Sequence, residues 1–413
     1  MVGALGATGV VGAFTPLLRR WPWSMMGALS SAFASENPAL VAGVQAAAAA
    51  AALRARGPAR PAGVAVNAAA LAGLAVLAGD ARRSARALDG ALREAGVLPP
   101  EQVRLRRPAG VLPGPVARRR YRRATDLSYG GDPHTGTLDV WHRHDLPADG
   151  RAPVLVQVHG GAWEMGDKRG QAEPLMGYLA ERGWVCVTLN YRLAPANRWP
   201  AMIVDVKRAI AWIRENIATY GGDPAFVAIT GGSAGGHLAA LAALSANDPD
   251  FQPGFEDADT TLTAAVPMYG VFDFTHDQQG LWALLERKII QTRYADDRRT
   301  WERASPALRV GPHAPPFLVL HGSTDTIVGV NQSRRFVTAL RASSPSPVGY
   351  AELPRAQHGF DALPTARTAY TAAAVHRFLA AVHQRATAGA AQTRSALPPR
   401  HSRAGEHPRF PRR

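Results

Sequence analysis

The chain has 413 residues, 46% of them hydrophobic, and its 47 Lys and Arg outnumber its 32 Asp and Glu, giving a formal charge of +15. That length supports a large core, and the single cysteine, Cys186, excludes an intramolecular disulfide framework. The positive excess does not make a nucleic-acid binder, because the basic residues gather in 104–123 and after Ala386 rather than in a recognition motif.

Residues 1–100 read as an apolar, Ala-rich helical region. The runs "PALVAGVQAAAAAAAL" (38–53) and "AGVAVNAAALAGLAVLAG" (62–79) are both helix-length. A bilayer span takes about 20 apolar residues. The six Val and Leu of the second run supply only about −2 to −3.5 kcal/mol before Asn67 is set against them, so insertion is marginal. The two runs predict a helical hairpin across "RARGPARP", either inserted, lying at an interface, or packed on the rest of the chain. Arg54, Arg56 and Arg60 on one side and Arg82, Arg83 and Arg86 on the other fix no membrane orientation. The first twenty residues place apolar residues ahead of a basic pair, the reverse of a secretory signal, so no cleavable signal peptide is expected.

Residues 101–123 read as a basic linker, and from 124 to 386 the texture becomes that of an α/β domain. Short apolar runs alternate with amphipathic segments: "LDVWH", "APVLVQVH", "GWVCVTLNY", "FVAITG", "AAVPMYG", "PPFLVLHG" and "VGYAELP". Among the helical segments, "PAMIVDVKRAIAWIRENIATYGG" repeats Ile203, Val206, Ala209, Ile210 and Ile213 on one face, with Pro200 at its start and Gly221 at its end. Right-handed crossovers then give a mostly parallel sheet with helices on both faces. Residues 269–307 interrupt the alternation and carry Leu281, Trp282, Leu284, Leu285, Ile289 and Ile290, a candidate helical lid whose rival is an ordinary packed helix. The segment 387–413 has little to bury and reads as a basic, disordered tail.

The stretch "FVAITGGSAGGHLAALAAL" sets Ser233 between glycines at a strand-to-helix junction, in the frame G-x-S-x-G. A nucleophile on such a sharp turn occupies strained backbone, and small neighbours let strand and helix approach. Upstream, "HGGAW" ends an apolar strand in bare peptide groups. The N–H groups of Gly160 and Gly161 are therefore candidates to join that of Ala234 as an oxyanion hole. Downstream, Asp325 and then His358 follow two further strands, in the chain order Ser, Asp, His. Asp361 competes with Asp325 for the acid role, while His237 and His321 read as packing or supporting histidines. His and Cys show no metal-ligand spacing, and no Gly-Lys-Ser/Thr loop follows a strand, so neither metal nor cofactor is expected.

"HGGAW", "NYRLAP", "GGSAGGHLAAL", "HGSTDTIV" and "QHGFD", in this order, resemble the α/β-hydrolase esterases and lipases of the hormone-sensitive lipase family over about residues 120–385. Within that family the chain is most similar to actinobacterial carboxylesterases with an apolar N-terminal extension. The resemblance implies hydrolysis of short- to medium-chain acyl esters, small-molecule or lipidic, without a cofactor. It also implies membrane association of the N-terminal part; a cytoplasmic location is the alternative, and the oligomeric state is left open. Two departures stand out: Gly232 where many members carry an acidic residue, and Ala162 where a third glycine is commoner. An amide or formamide hydrolase would use the same residues, and a non-catalytic ligand-binding or membrane-tethered scaffold protein is the remaining rival.

Overall fold

The computed structural model describes residues 2–15, 23–105, 110–147, 150–276 and 280–396. Eight strands form one sheet: β1 (Arg122–Ser128), β2 (Thr137–Trp141), β3 (Ala152–Val158), β4 (Val185–Leu189), β5 (Gly222–Gly232), β6 (Ala264–Met268), β7 (Phe317–Gly322) and β8 (Val348–Leu353). Their spatial order is β1-β2-β4-β3-β5-β6-β7-β8. β2 pairs antiparallel with β1 and with β4, and all other neighbours are parallel. The apolar runs read from the sequence become β2 to β8. β1, "RRATDLS", escapes that reading because it is a polar, half-exposed edge strand with almost nothing to bury.

Period-two alternation sends each strand's side chains to two separate core layers. Along β3, Val154, Val156 and Val158 join one layer and Leu155 the other; along β7, Phe317 and Val319 oppose Leu318 and Leu320. The first layer is closed by helices Ala201–Asn216, Ala234–Leu244 and Asn331–Ser343. In the first of these, the predicted stripe of Ile203, Val206, Ala209, Ile210 and Ile213 is fully buried, and Gly221 (φ +78°) ends the chain's turn after it. The second layer is closed by helices Glu173–Ala180 and Ala366–Ala396 and by an N-terminal helix described next.

The N-terminal region is helical: α1 (Val2–Phe14), α2 (Trp23–Glu36), α3 (Pro38–Arg54), α4 (Arg60–Ala78) and α5 (Asp80–Ala95). α3 and α4 make the predicted hairpin, and with α1 and α2 they form a small cluster of Val10, Ala13, Ala34, Val41, Ala70, Leu74 and Leu77. α5 behaves differently. It lays Leu88, Ala91, Leu92 and Ala95 on the sheet beside β8, each leucine worth about 1.5–3 kcal/mol of burial. The packing therefore changes at Gly79 rather than at residue 100. The stretch expected as a linker is also built in: Pro100–Val103 and Gly114–Tyr121 are helical, and Val103, Leu105, Ala117 and Tyr121 are buried in the second layer. The last helix continues through residues 387–396, where a disordered tail was expected; the rest of that tail, and residues 106–109 of the linker, lie outside the described residues. One window within Arg60–Ala95 is long and apolar enough to cross a membrane by length and composition.

Candidate active site

At the end of β5 the chain turns into helix Ala234–Leu244 through Ser233, whose backbone sits at φ +59°, ψ −122°. A non-glycine residue there costs on the order of 1–3 kcal/mol, and the surroundings hold it. The Ser233 amide donates to the Met268 carbonyl on β6 (3.0 Å), and its carbonyl accepts from the His237 amide (3.0 Å). The flanking glycines follow from the same turn. A Cβ on Gly231 would lie 2.4 Å from the Gly235 carbonyl oxygen, and one on Gly235 would lie 2.1 Å from that of Val158. Both obstacles are backbone, so strand and helix meet only if these positions are bare.

The loops after β7 and β8 bring the acid and the histidine together. His358 Nδ1 lies 2.7 Å from Asp325 Oδ2, and Asp325 Oδ1 accepts the Ile327 and Val328 amides at 2.8 and 2.9 Å. His321 Nε2 stands 3.3 Å from Asp325 Oδ2 and 2.9 Å from the Val328 carbonyl, while its Nδ1 meets Ser333 Oγ at 2.7 Å. Burial alone would raise the Asp325 pKa. The His358 charge, with hydrogen bonds from His321 and His358, outweighs that and holds the carboxyl well below its ordinary value. The two loops are laced together: the Ser323 amide donates to the Leu353 carbonyl, Thr324 Oγ1 to that of Ala356, and the Thr326 amide to Gln357 Oε1.

Ser233 and His358 line one cavity of about 250 Å³, together with Gly160, Gly161, Ala162, Met165, Gln171, Met268, Tyr269, Ile327 and Asp361. The loop after β3 contributes peptide groups in unusual conformations: Gly161 at φ +128°, Ala162 at +53° and Trp163 at +60°. His159, stacked on Tyr191 with centroids 4.2 Å apart, meets the Gly160 carbonyl through Nδ1 (2.9 Å). Burial lowers the His159 pKa to about 4, so this ring is neutral. One expectation needs correction. The Gly160 N–H does not stand free for an oxyanion, because it donates to Gln171 Oε1 at 2.7 Å, with Gln171 Nε2 3.3 Å from the Gly160 carbonyl. The Gly161, Ala162 and Ala234 amides have no hydrogen-bond partner among the described residues.

Asp361, the rival acid, is otherwise engaged: Oδ1 accepts the hydroxyl of Tyr269, and burial raises its pKa. The Tyr269 ring stands 4.7 Å from that of His358 and fills the space beside Gly232, where a Cβ would meet its hydroxyl at 2.5 Å. The missing acidic side chain at 232 is thus the room this tyrosine occupies. His237 is fully buried, held between Trp163 Nε1 (3.2 Å) and the Ala304 carbonyl (2.8 Å), with its pKa lowered to about 4 by burial. It supports the Trp163 side of the loop and does not line the cavity. Of the candidate lid, Leu285, Ile289 and Ile290 are buried in the first core layer and Leu281, Trp282 and Leu284 pack against it; beyond Tyr269, no described residue of 269–307 lines the cavity. Gln171 and Tyr269 were not legible as site residues: neither lies in a motif, and both act through contacts with residues distant in sequence.

Similarity to known proteins points the same way. The BD-FAE family model matches residues 138–340. The chain is 53% identical over 296 residues to "Probable carboxylic ester hydrolase LipM" of Mycobacterium tuberculosis, covering 69% of each chain. It is 45% identical over 298 residues to esterase LipC of the same organism, covering 70% of this chain and 73% of LipC. Among solved structures, a truncated carbohydrate esterase from gut microbiota superposes with a TM-score of 0.55 at 22% identity, covering 67% of this chain and all of that one, which speaks to the fold.

Proposed function

The chain belongs to the hormone-sensitive lipase family of α/β-hydrolase esterases and is a carboxylic ester hydrolase; from that premise we propose that it works through an acyl-enzyme on Ser233. The supporting observation is that Ser233, on its strained turn, and His358, bonded to Asp325 at 2.7 Å, face the same cavity as the Gly161 peptide. His358, oriented by Asp325, takes the Ser233 proton as Oγ attacks the ester carbonyl carbon. The oxyanion accepts hydrogen bonds from Gly161 and Ala234, with the adjacent Ala162 amide as a third donor and the Gly160 peptide as the fixed support of the loop. His358 then protonates the leaving alcohol, and the same imidazole activates the water that releases the acid. In such sites each oxyanion donor is worth about 3–4 kcal/mol of barrier.

The cavity wall of Ala162, Met165, Met268, Ile327 and Ala362 suits a short- to medium-chain acyl group. A membrane surface is the partner that best fits the hairpin. Leu40, Val44, Leu53, Val66 and Val76 are exposed on it, and Arg54, Arg56 and Arg60 are exposed about its turn, an apolar and basic combination suited to anionic headgroups. The test of function is steady-state hydrolysis of 4-nitrophenyl esters of increasing acyl length, with matched anilides, by wild type and Ser233→Ala. Turnover of short and medium esters that vanishes in the variant supports the reading. Anilides cleaved as fast as esters would make the protein an amidase, and activity retained by Ser233→Ala would move the nucleophile.

A further inference from the structure

The segment 354–365, between β8 and the last helix, carries His358, and it is tied down at both ends by charged residues of the N-terminal helices. Arg355, three residues before His358, gives a bidentate pair to Asp80 at the start of α5: Nε to Oδ2 at 2.8 Å and Nη2 to Oδ1 at 2.7 Å. Asp80 is fully buried, and Arg355 itself sits at φ +49° with its amide on Ser323 Oγ (2.9 Å). Its guanidinium also covers the Phe14 ring of α1 at 5.2 Å.

At the other end, Arg367 is 2% exposed and spreads its donors over three elements. Nη1 meets Glu36 Oε1 at the end of α2, Nε meets Ser84 Oγ on α5 (3.2 Å), and Nη2 meets the Pro354 carbonyl (3.2 Å). Thr365 Oγ1 adds a bond to Glu36 Oε2 at 3.1 Å. Arg367 therefore joins the two ends of the loop to each other and to the helices.

Buried ion pairs are a poor device for stability alone, since well-packed apolar residues do as well or better, whereas a bidentate guanidinium–carboxylate pair fixes position and angle. Here one such pair, Arg355–Asp80, and the branched contacts of Arg367 to Glu36, Ser84 and Pro354 bracket the one loop whose placement decides whether His358 meets Ser233. We infer that Asp80 and Glu36 are positioning residues for the esterase reaction, acting through Arg355 and Arg367 to hold the His358 loop in register with the elbow. This rests on the reading of His358 as the general base. The N-terminal helices then belong to the working enzyme and are not merely an attachment.

The experiment compares full-length wild type with Asp80→Asn, Arg355→Gln, their double variant and Glu36→Gln, using 4-nitrophenyl butyrate kinetics, thermal unfolding and fluorophosphonate labelling. Leu74→Ala is the control, because it loosens α4 against α1 while touching neither pin. Small displacements of a catalytic group cost up to about a hundredfold, so each single variant should lose about tenfold in kcat with KM changed less than about twofold. The double variant should lose no more than the worse single, and Arg355→Lys should recover part of the loss. Leu74→Ala should lower the unfolding temperature and leave kcat intact. If Asp80→Asn does not fold, Glu36→Gln decides by the same criteria. Wild-type kcat in the pin variants, or an equal kcat loss in Leu74→Ala at matched unfolding temperature, overturns the inference. Labelling separates the two readings: wild type that fails to label at Ser233 removes the triad, whereas normal labelling with unaltered pin variants removes only the pins.

Discussion

Gln171 clasps the peptide of Gly160 from both sides, its Oε1 2.7 Å from the amide nitrogen and its Nε2 3.3 Å from the carbonyl oxygen. The Gly160 carbonyl belongs to the same peptide unit as the Gly161 amide, so on the proposed mechanism Gln171 would orient an oxyanion donor without donating itself. Gln171→Ala should lower kcat by roughly ten- to a hundredfold, a fraction of the loss from deleting a donor, with little change in KM. Gln171→Glu should be worse, because a carboxylate would stand beside the developing negative charge. Stopped-flow release of nitrophenol reads both.

The two carboxylates of the site should separate cleanly. Asp325→Asn removes the group that fixes the His358 tautomer and should cut kcat by about 10³- to 10⁴-fold. Asp361→Asn keeps an oxygen that can accept the Tyr269 hydroxyl and should cost less than about tenfold by comparison. The reverse ranking would give the acid role to Asp361. On the proposed mechanism a neutral His358 accepts the Ser233 proton, so kcat/KM should climb as the pH is raised from acid. Asp325, held low, adds no limb there.

Acid should unfold the protein through its buried histidines. Burial depresses the His159 and His237 pKa values from 6.5 to about 4, so between those limits the unfolded chain binds protons that the folded chain refuses. Stability is complete above pH 6.5 and falls as the pH drops toward 4, by up to roughly 3 kcal/mol for each ring. Thermal unfolding across pH 4–8 checks this, and a midpoint that does not move below pH 6.5 would show that the rings protonate in the fold.

Gly235→Ala should be among the most damaging small substitutions in the chain. Its methyl would sit 2.1 Å from the Val158 carbonyl oxygen, a backbone atom of the central sheet that has no room to retreat. A loss of several kcal/mol, or failure to accumulate as folded protein, is the expected outcome in denaturant titration.

Much of this was legible in the sequence, for reasons that differ by residue. β3 to β8 announced themselves because buried parallel strands are short, continuous apolar runs, and the antiparallel β2 because it too is an apolar, buried run. Ser233, Asp325 and His358 could be picked out as candidates because each follows such a run at a loop. β1 could not, since a polar edge strand carries no pattern. α5 reads as part of the Ala-rich region, but its charged, amphipathic sequence and its seat on β8 and the last helix separate it from the hairpin before it. The commitment of the Gly160 amide could not be read at all, because Gln171 lies eleven positions away in a loop whose path is set by tertiary packing.

The measurement that bears most directly on the account is mass-spectrometric mapping of the adduct formed with a fluorophosphonate, in wild type and in His358→Ala. Modification of Ser233 alone, at a rate that collapses when the imidazole is removed, is the predicted result. An adduct on another residue, or labelling of Ser233 at an unchanged rate without His358, would contradict it.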